Sequence, residues 1–224
     1  MRILLHMGDP FIVDNPCTKR MRAFREEFEN QGHEVVILAP GTETSKTVSG
    51  VIYCKTPPLK KKTTVYRLLN SIGFALESIK VSQKIDKIDI VLTTCPPPLI
   101  NMAGWFIAKR KQAKLIYDVR DIWPDVALEM GSFSKSSIYA KVFEFIKYFM
   151  INHADLICAV SKGKVKKLSQ INHSKEVKCI PNGFDVHFLE NTINGELQKK
   201  ISQYPGFKCI YVGNLVLAQG LTQI

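Results

Sequence analysis

The sequence predicts a doubly wound α/β domain built on a parallel sheet. Short apolar runs of strand length alternate with amphipathic stretches from end to end, the signature of βαβ crossovers. The runs are closed by breakers such as Gly32, Pro40, Gly41, Pro96 and Pro181. The chain is 46% hydrophobic and 23% charged, enough apolar mass for a sizeable core.

The elements follow in order. Residues 2–6 read as the first strand and 17–31 as a helix stopped by Gly32. A second strand spans 35–39 and a weaker third spans 51–54. A long helix over 65–85 places Leu68, Leu69, Ile72, Leu76 and Ile79 at helical spacing. Next come a strand at 88–93, the breaker Pro96-Pro97-Pro98, a helix at 99–111 and a strand at 114–118. An aromatic-rich helix covers 138–152. A strand at 156–160, a helix at 162–170 and a strand at 177–180 complete the sheet.

The 224 residues are long for one domain and short for two. Residues 1–190 are expected to form the first domain. A polar, weakly periodic linker with a short helix fills 191–206. Residues 207–224 restart the strand-then-loop pattern, with a strand at 207–212 and Gly213 and Gly220 flanking a loop. A lone strand and loop cannot bury a core, so they read as the opening of a second Rossmann-like unit.

Composition excludes several classes. No run approaches the roughly 18 apolar residues a membrane span needs. The start lacks the long apolar region of a signal peptide and reads as a buried strand. Six scattered cysteines, with no CxxC pair, fit the reduced core of a cytoplasmic protein better than a disulfide frame or zinc site. The net charge of +11, clustered at Lys60–62, Lys109–Lys114 and Lys162–Lys167, suits an anionic membrane surface or a polyphosphate ligand. No recognition helix, RNA-binding aromatic motif or zinc finger accompanies it, so no nucleic acid is expected.

Ligands of open parallel sheets bind beyond the carboxyl ends of the strands. After the first strand, HMGDPFIVDNPCTKRMRAF contains no GxGxxG, which argues against a nicotinamide-dependent oxidoreductase. Arg20 and Arg22 there either hold a phosphate at the helix start or decorate a basic surface helix. After the fifth strand, YDVRDIWPDVALEMG packs Asp118, Arg120, Asp121 and Asp125 around Trp123. Buried charges must pair or bind something. A salt-bridged turn accounts for them. A site that orients a hydroxyl acceptor is the sharper reading, since a tuned carboxylate can take a hydroxyl proton. Ser161 reads as a helix cap. In IPNGFD, Asn182 and Gly183 form a turn, and Asp185 points to an interdomain cleft.

Four motifs in one order, VRDIWPD, ADLICAVS, IPNGFD and YVGNLVLAQGL, preceded by NQGHEVVILAP, resemble bacterial family 4 glycosyltransferases of GT-B fold. The likeness is to the branch that builds lipopolysaccharide O-antigen and capsule sugars on lipid carriers. The resemblance implies two Rossmann-like domains, of which this chain is the N-terminal, acceptor-binding half. It implies transfer with retention from a nucleotide sugar to a lipid-linked saccharide, without a metal or other cofactor. The enzyme would work in the cytoplasm, peripheral on the inner face of the membrane. Arg120 and Asp121 fall where many relatives carry a His-Asp pair, which leaves Asp121 as the residue beside the reacting hydroxyl and Arg120 as a charge stabiliser. Arg20, Arg22, Asp118 and Trp123 would serve the acceptor. Gly213, Asn214, Gln219 and Gly220 match the donor-diphosphate loop, with Asn182 and Asp185 beside it. Relatives place Arg and Lys where Asn214 and Gln219 stand. A GT-B nucleotide-sugar 2-epimerase and a non-catalytic binding subunit are the alternatives, and the chain alone is expected not to catalyse transfer.

Overall fold

The computed structural model describes residues 1–41, 48–56, 64–183, 195–209 and 211. Among them, seven strands form one parallel sheet in the order β3-β2-β1-β4-β5-β6-β7. The strands are β1 (Arg2–His6), β2 (Glu34–Gly41), β3 (Val51–Lys55), β4 (Ile90–Cys95), β5 (Lys114–Val119), β6 (Leu156–Ala159) and β7 (Val177–Cys179). The helices are α1 (Pro16–Asn30), α2 (Thr64–Ser82), α3 (Pro98–Lys111), α4 (Asp125–Glu129), α5 (Ile138–His153), α6 (Lys162–Ser169) and α7 (Gly195–Ser202). This is the Rossmann-like doubly wound architecture that the alternating pattern predicts.

The strand order reverses between β1 and β4, and the helices divide accordingly. α1 covers one face through Cys17 and Met21, packed on Ile3, Leu5, Ile37 and Leu92. The other face receives Phe74 of α2, Ile100 and Ile107 of α3, and Ile146 and Met150 of α5. Both faces of the central strands are buried, which is why those strands read as continuous apolar runs.

Local chemistry fixes the ends of the elements. α1 opens with a capping box in which Asn15 accepts from the Thr18 amide and Thr18 accepts from the Asn15 amide. Ser137 and Ser161 cap α5 and α6, so the capping role read for Ser161 holds. β4 runs two residues beyond its expected end at Thr93, because Thr94 and Cys95 pair with Asp118 and Val119 of β5. α4 is too short to show a period in the sequence and was not foreseen.

Two compact units result, Met1–Asn182 and Gly183–Ile224. In the second, α7 carries Glu196 in its first turn and Lys199 and Lys200 in its last, complementing the helix dipole. Of the strand expected at 207–212, the described residues, 207–209 and 211, carry no strand. Phe207 is 97% exposed, since no partner strand covers it among the described residues.

Candidate functional site

The carboxyl ends of β1, β4 and β5 lie side by side, and the loops leaving them build the site. Gly8 leaves β1 and lies against the start of α3. A Cβ there would stand 2.4 Å from Pro97 Cδ and 2.9 Å from Ile100 Cδ1, so only glycine permits the approach.

Beneath these loops lies a buried ion pair. Asp118 is wholly buried and Arg20 is 5% exposed. The Arg20 Nη2 donates to Asp118 Oδ1 at 2.8 Å, and Nε lies 3.2 Å from each carboxylate oxygen. Thr94 Oγ1 donates to Asp118 Oδ2 at 2.9 Å. The remaining Arg20 nitrogen, Nη1, donates to the Pro181 carbonyl at 3.2 Å and to Asn182 Oδ1 at 3.3 Å. The guanidinium also lies 4.7 Å from the Phe24 ring centre. The pair thus fastens α1, β4, β5 and the segment after β7 to one another. Such a pair is costly to bury, and removing one partner strands a charge.

Arg120 extends this network upward. Its Nε donates to Thr94 Oγ1 at 3.1 Å and its Nη2 to the Pro96 carbonyl at 2.9 Å. The same Nη2 stands 3.8 Å from Asp9. Asp121 turns the other way, its side chain 44% exposed, and accepts from Lys164 Nζ of α6 at 3.1 Å. Asp125 opens α4 and is held by Lys147 at 2.9 Å and Lys167 at 3.1 Å. Burial pushes its carboxyl up, but the two lysines outweigh that and hold it below the usual value.

A cavity of about 480 Å³ opens over the strand ends. Gly8, Asp9 and the three prolines of 96–98 form its floor. Trp123, Phe133, Tyr139 and Phe143 wall one side, and Arg67, Leu68, Asn70 and Ser71 of α2 border the other. Trp123 meets Phe143 edge-on at 5.7 Å and Phe133 at 6.4 Å, so the wall is a connected aromatic cluster. A concave, largely apolar surface with one carboxylate and one guanidinium is suited to stacking a sugar ring and fixing its hydroxyls.

The predicted residues therefore separate. Trp123 lines the cavity, and Arg120 approaches it through Asp9. Arg20 and Asp118 are brought together beneath it, with their hydrogen-bonding capacity spent on each other and their neighbours. Asp121 faces Lys164 and is not among the cavity-lining residues. Arg22 lies away from that network, donating to the Phe11 carbonyl at 2.9 Å and facing Asp14 at 3.8 Å. Asn182 joins Arg20. Asp185, Gly213, Asn214, Gln219 and Gly220 lie outside the described residues, as do Lys60 to Lys62.

Sequence reasoning passed over Asp9, Thr94 and the aromatic trio of Phe133, Tyr139 and Phe143. Asp9 could have been found: it lies three residues past the end of the first strand, in the loop at its carboxyl end. The aromatics looked like ordinary amphipathic residues. His6 also ends β1, but its ring is bonded to Thr93 and Ser78 and stacked on Phe74. Full burial pushes its imidazole down to about 3, so it stays neutral in the core. Burial raises the Cys17, Cys54 and Cys95 thiols to about 12, which denies the site a thiolate nucleophile. Among the described residues, no three His, Cys, Asp or Glu side chains gather as a metal centre would require.

The family described as Glycosyltransferase Family 4 matches residues 18–188, so the chain belongs to that family. No curated protein shows significant sequence similarity to it. Sucrose-phosphate synthase from Thermosynechococcus elongatus superposes with a TM-score of 0.67 at 11% identity, over 89% of this chain and 52% of that one. The catalytic domain of starch synthase IV from Arabidopsis thaliana, bound to ADP and acarbose, gives 0.59 at 14% identity, over 82% and 52%. Anabaena HepE in complex with UDP-glucose gives 0.55 at 17%, over 90% and 49%. The likeness shows a shared fold, that of one half of GT-B glycosyltransferases. The chain spans about half the length of these solved structures.

Proposed function

We propose that this member of glycosyltransferase family 4 is the acceptor-side half of a retaining, nucleotide-sugar-dependent hexosyltransferase. Its acceptor is a lipid-linked saccharide, its setting the assembly of O-antigen or capsule polysaccharide at the cytoplasmic leaflet, and its chemistry independent of a metal. The observation that carries this reading is the aromatic-walled cavity over β1, β4 and β5. Sugar rings stack on aromatic faces, and cations and carboxylates at the rim hold their polar groups. Nucleotide sugars are chosen as donors because HepE is seen with UDP-glucose and starch synthase IV with ADP.

In this reading the acceptor hydroxyl lies between the cavity and Asp121. As the bond from C1 to the donor phosphate breaks, the new bond from C1 to the acceptor oxygen forms on the same face of the ring. Asp121 takes up or orients the hydroxyl proton, and Lys164 steadies its charge. Arg120, fixed by Thr94 and Pro96, supplies positive potential near the reacting groups. Arg22 offers a cation to an acceptor phosphate. Arg20 and Asp118 act by position, keeping the loops above them in register. Donor contacts from Asn182, Asp185, Gly213, Asn214, Gln219 and Gly220 complete the proposal, with most diphosphate neutralisation supplied by a second domain.

The test incubates the protein carrying this domain and its donor-binding half with UDP- and ADP-sugars, with and without a polyprenyl-diphosphate saccharide. Mass spectrometry should find the lipid extended by one sugar. Free sugar released from donor alone would replace the reading with an epimerase or hydrolase. The 224-residue chain by itself should turn over no nucleotide sugar.

A further inference from the structure

The cavity over the strand ends carries a charge that the fold leaves unanswered. Among the described residues, its lining holds one acid, Asp9, and one base, Arg67. Asp9 is matched by Arg120 at 3.8 Å. Arg67 takes part in no hydrogen bond, ion pair or ring contact among the described residues. The neighbouring cations are engaged: Arg20 by Asp118, Lys164 by Asp121, and Lys147 and Lys167 by Asp125. The lining is thus left with one uncompensated positive charge.

Helix stability does not explain an arginine at this position. Arg67 is the fourth residue of α2, and the first turn of that helix holds no acid. A cation there opposes the helix dipole. Along α2, positions 67, 70, 71 and 74 share one face. Arg67, Asn70 and Ser71 line the cavity, and Phe74 continues that face into the core at 1% exposed. Arg67 therefore stands on the cavity side of the helix, apart from the outward Leu69, Ile72 and Leu76.

A guanidinium presents paired N–H donors that match a carboxylate, and apolar walls that displace water strengthen such a pair. Trp123, Phe133 and Phe143 supply that wall on the opposite side. We propose that Arg67 is the specificity residue of the cavity and that it selects a saccharide bearing a carboxylate, a sugar acid. The ring stacks on the aromatic wall, its hydroxyls meet Asp9, and its carboxylate reaches Arg67. One uncompensated cation balances a monoanion. A diphosphate would bring several negative charges toward Asp9, and like charges so placed repel. This inference rests on reading the cavity as a saccharide site, and the two can fail separately.

The experiment titrates the 224-residue chain with methyl glucuronoside, methyl glucoside and inorganic pyrophosphate. Tryptophan emission reads all three, and saturation-transfer NMR reads the two sugars. The glucuronoside should bind about tenfold more tightly than the glucoside. Arg67→Gln should bring the two sugars to equal affinity, and Arg67→Lys should restore part of the preference. Added salt should narrow the gap in the parent. Arg67 is exposed, so both variants should melt like the parent. Lys162→Gln on α6 should keep the full preference. Equal binding of the two sugars by the parent, or a preference that survives Arg67→Gln, overturns the proposal and leaves the saccharide site standing. If neither sugar binds, both fall. Pyrophosphate that displaces the glucuronoside at lower concentration, with the same dependence on Arg67, also overturns it, because the cation would then serve a phosphate.

Discussion

Asp118 and Asp121 stand three residues apart in one motif, yet the fold gives them opposite surroundings. Asp118 is the penultimate residue of β5, points into the face covered by α1, and is wholly buried against Arg20. Asp121 lies just past the strand, 44% exposed, against a lysine of α6 that is itself part-exposed. A carboxylate locked in a dry pair holds structure, because its lone pairs are spent and its partner would be stranded without it. A carboxylate in a loose, wet pair costs little to release and can exchange its partner for a substrate hydroxyl. Charge density in a sequence motif thus does not distinguish a buried structural pair from an exposed, exchangeable one.

The comparison breaks most visibly at Asp118. Asp118→Ala should destabilise the domain by about 3–5 kcal/mol, since it leaves Arg20 buried and unpaired. Urea unfolding would measure it. The double variant Arg20→Met/Asp118→Leu should recover most of that loss, and no recovery would mean the pair does more than fill and neutralise. At Asp121 the balance reverses. Asp121→Asn should change stability by less than about 1 kcal/mol. It should cut transfer by roughly 10²–10⁴-fold in the protein complete with its donor half. Equal loss of stability in both variants would erase the distinction.

Gly8 sharpens the account at the cavity floor. Gly8→Ala should cost about 1–3 kcal/mol, because its Cβ drives into Pro97 and the rigid proline cannot yield. A thermal melt reads it directly.

His6 gives a pH signature. Its folded value, lowered to about 3 by burial, lies below the ordinary value of 6.5. The unfolded chain therefore binds the extra proton between those limits, and stability falls as pH drops from 6.5 toward 3. The slope is about 1.4 kcal/mol per pH unit. His6→Gln should flatten that slope whatever it does to stability at neutral pH. Asp125 adds a smaller effect of the same direction. Its folded carboxyl is depressed, so its contribution is present above the usual carboxylate value and lost as pH falls through the lowered one. Asp125→Asn should lessen acid sensitivity slightly, by well under the His6 effect.

Most of the fold was legible because parallel strands buried on both faces appear as unbroken apolar runs. The overshoot of β4 was not, since Thr94 looks polar in sequence and Cys95 abuts the prolines, and both become strand residues only through pairing with Asp118 and Val119. Of VRDIWPD, Trp123 lines the cavity, while the pairing of its charges could not be read from the motif. Arg20 and Asp118 are separated by 98 positions, and only the topology brings α1 over β5. Nothing in the spacing of Phe133, Tyr139 and Phe143 distinguishes a cavity wall from a core-facing stripe. Asp9 was within reach, had the ends of adjacent strands been read together.

The central claim is that this domain holds the acceptor, and its most direct test is a binding measurement on the 224-residue chain. Tryptophan emission would be followed while a polyprenyl-diphosphate saccharide or a nucleotide sugar is titrated in. The account predicts that the saccharide perturbs the emission, that Trp123→Ala removes the change, and that the nucleotide sugar leaves it untouched. Tight binding of the nucleotide sugar, with no response to the saccharide, would contradict it.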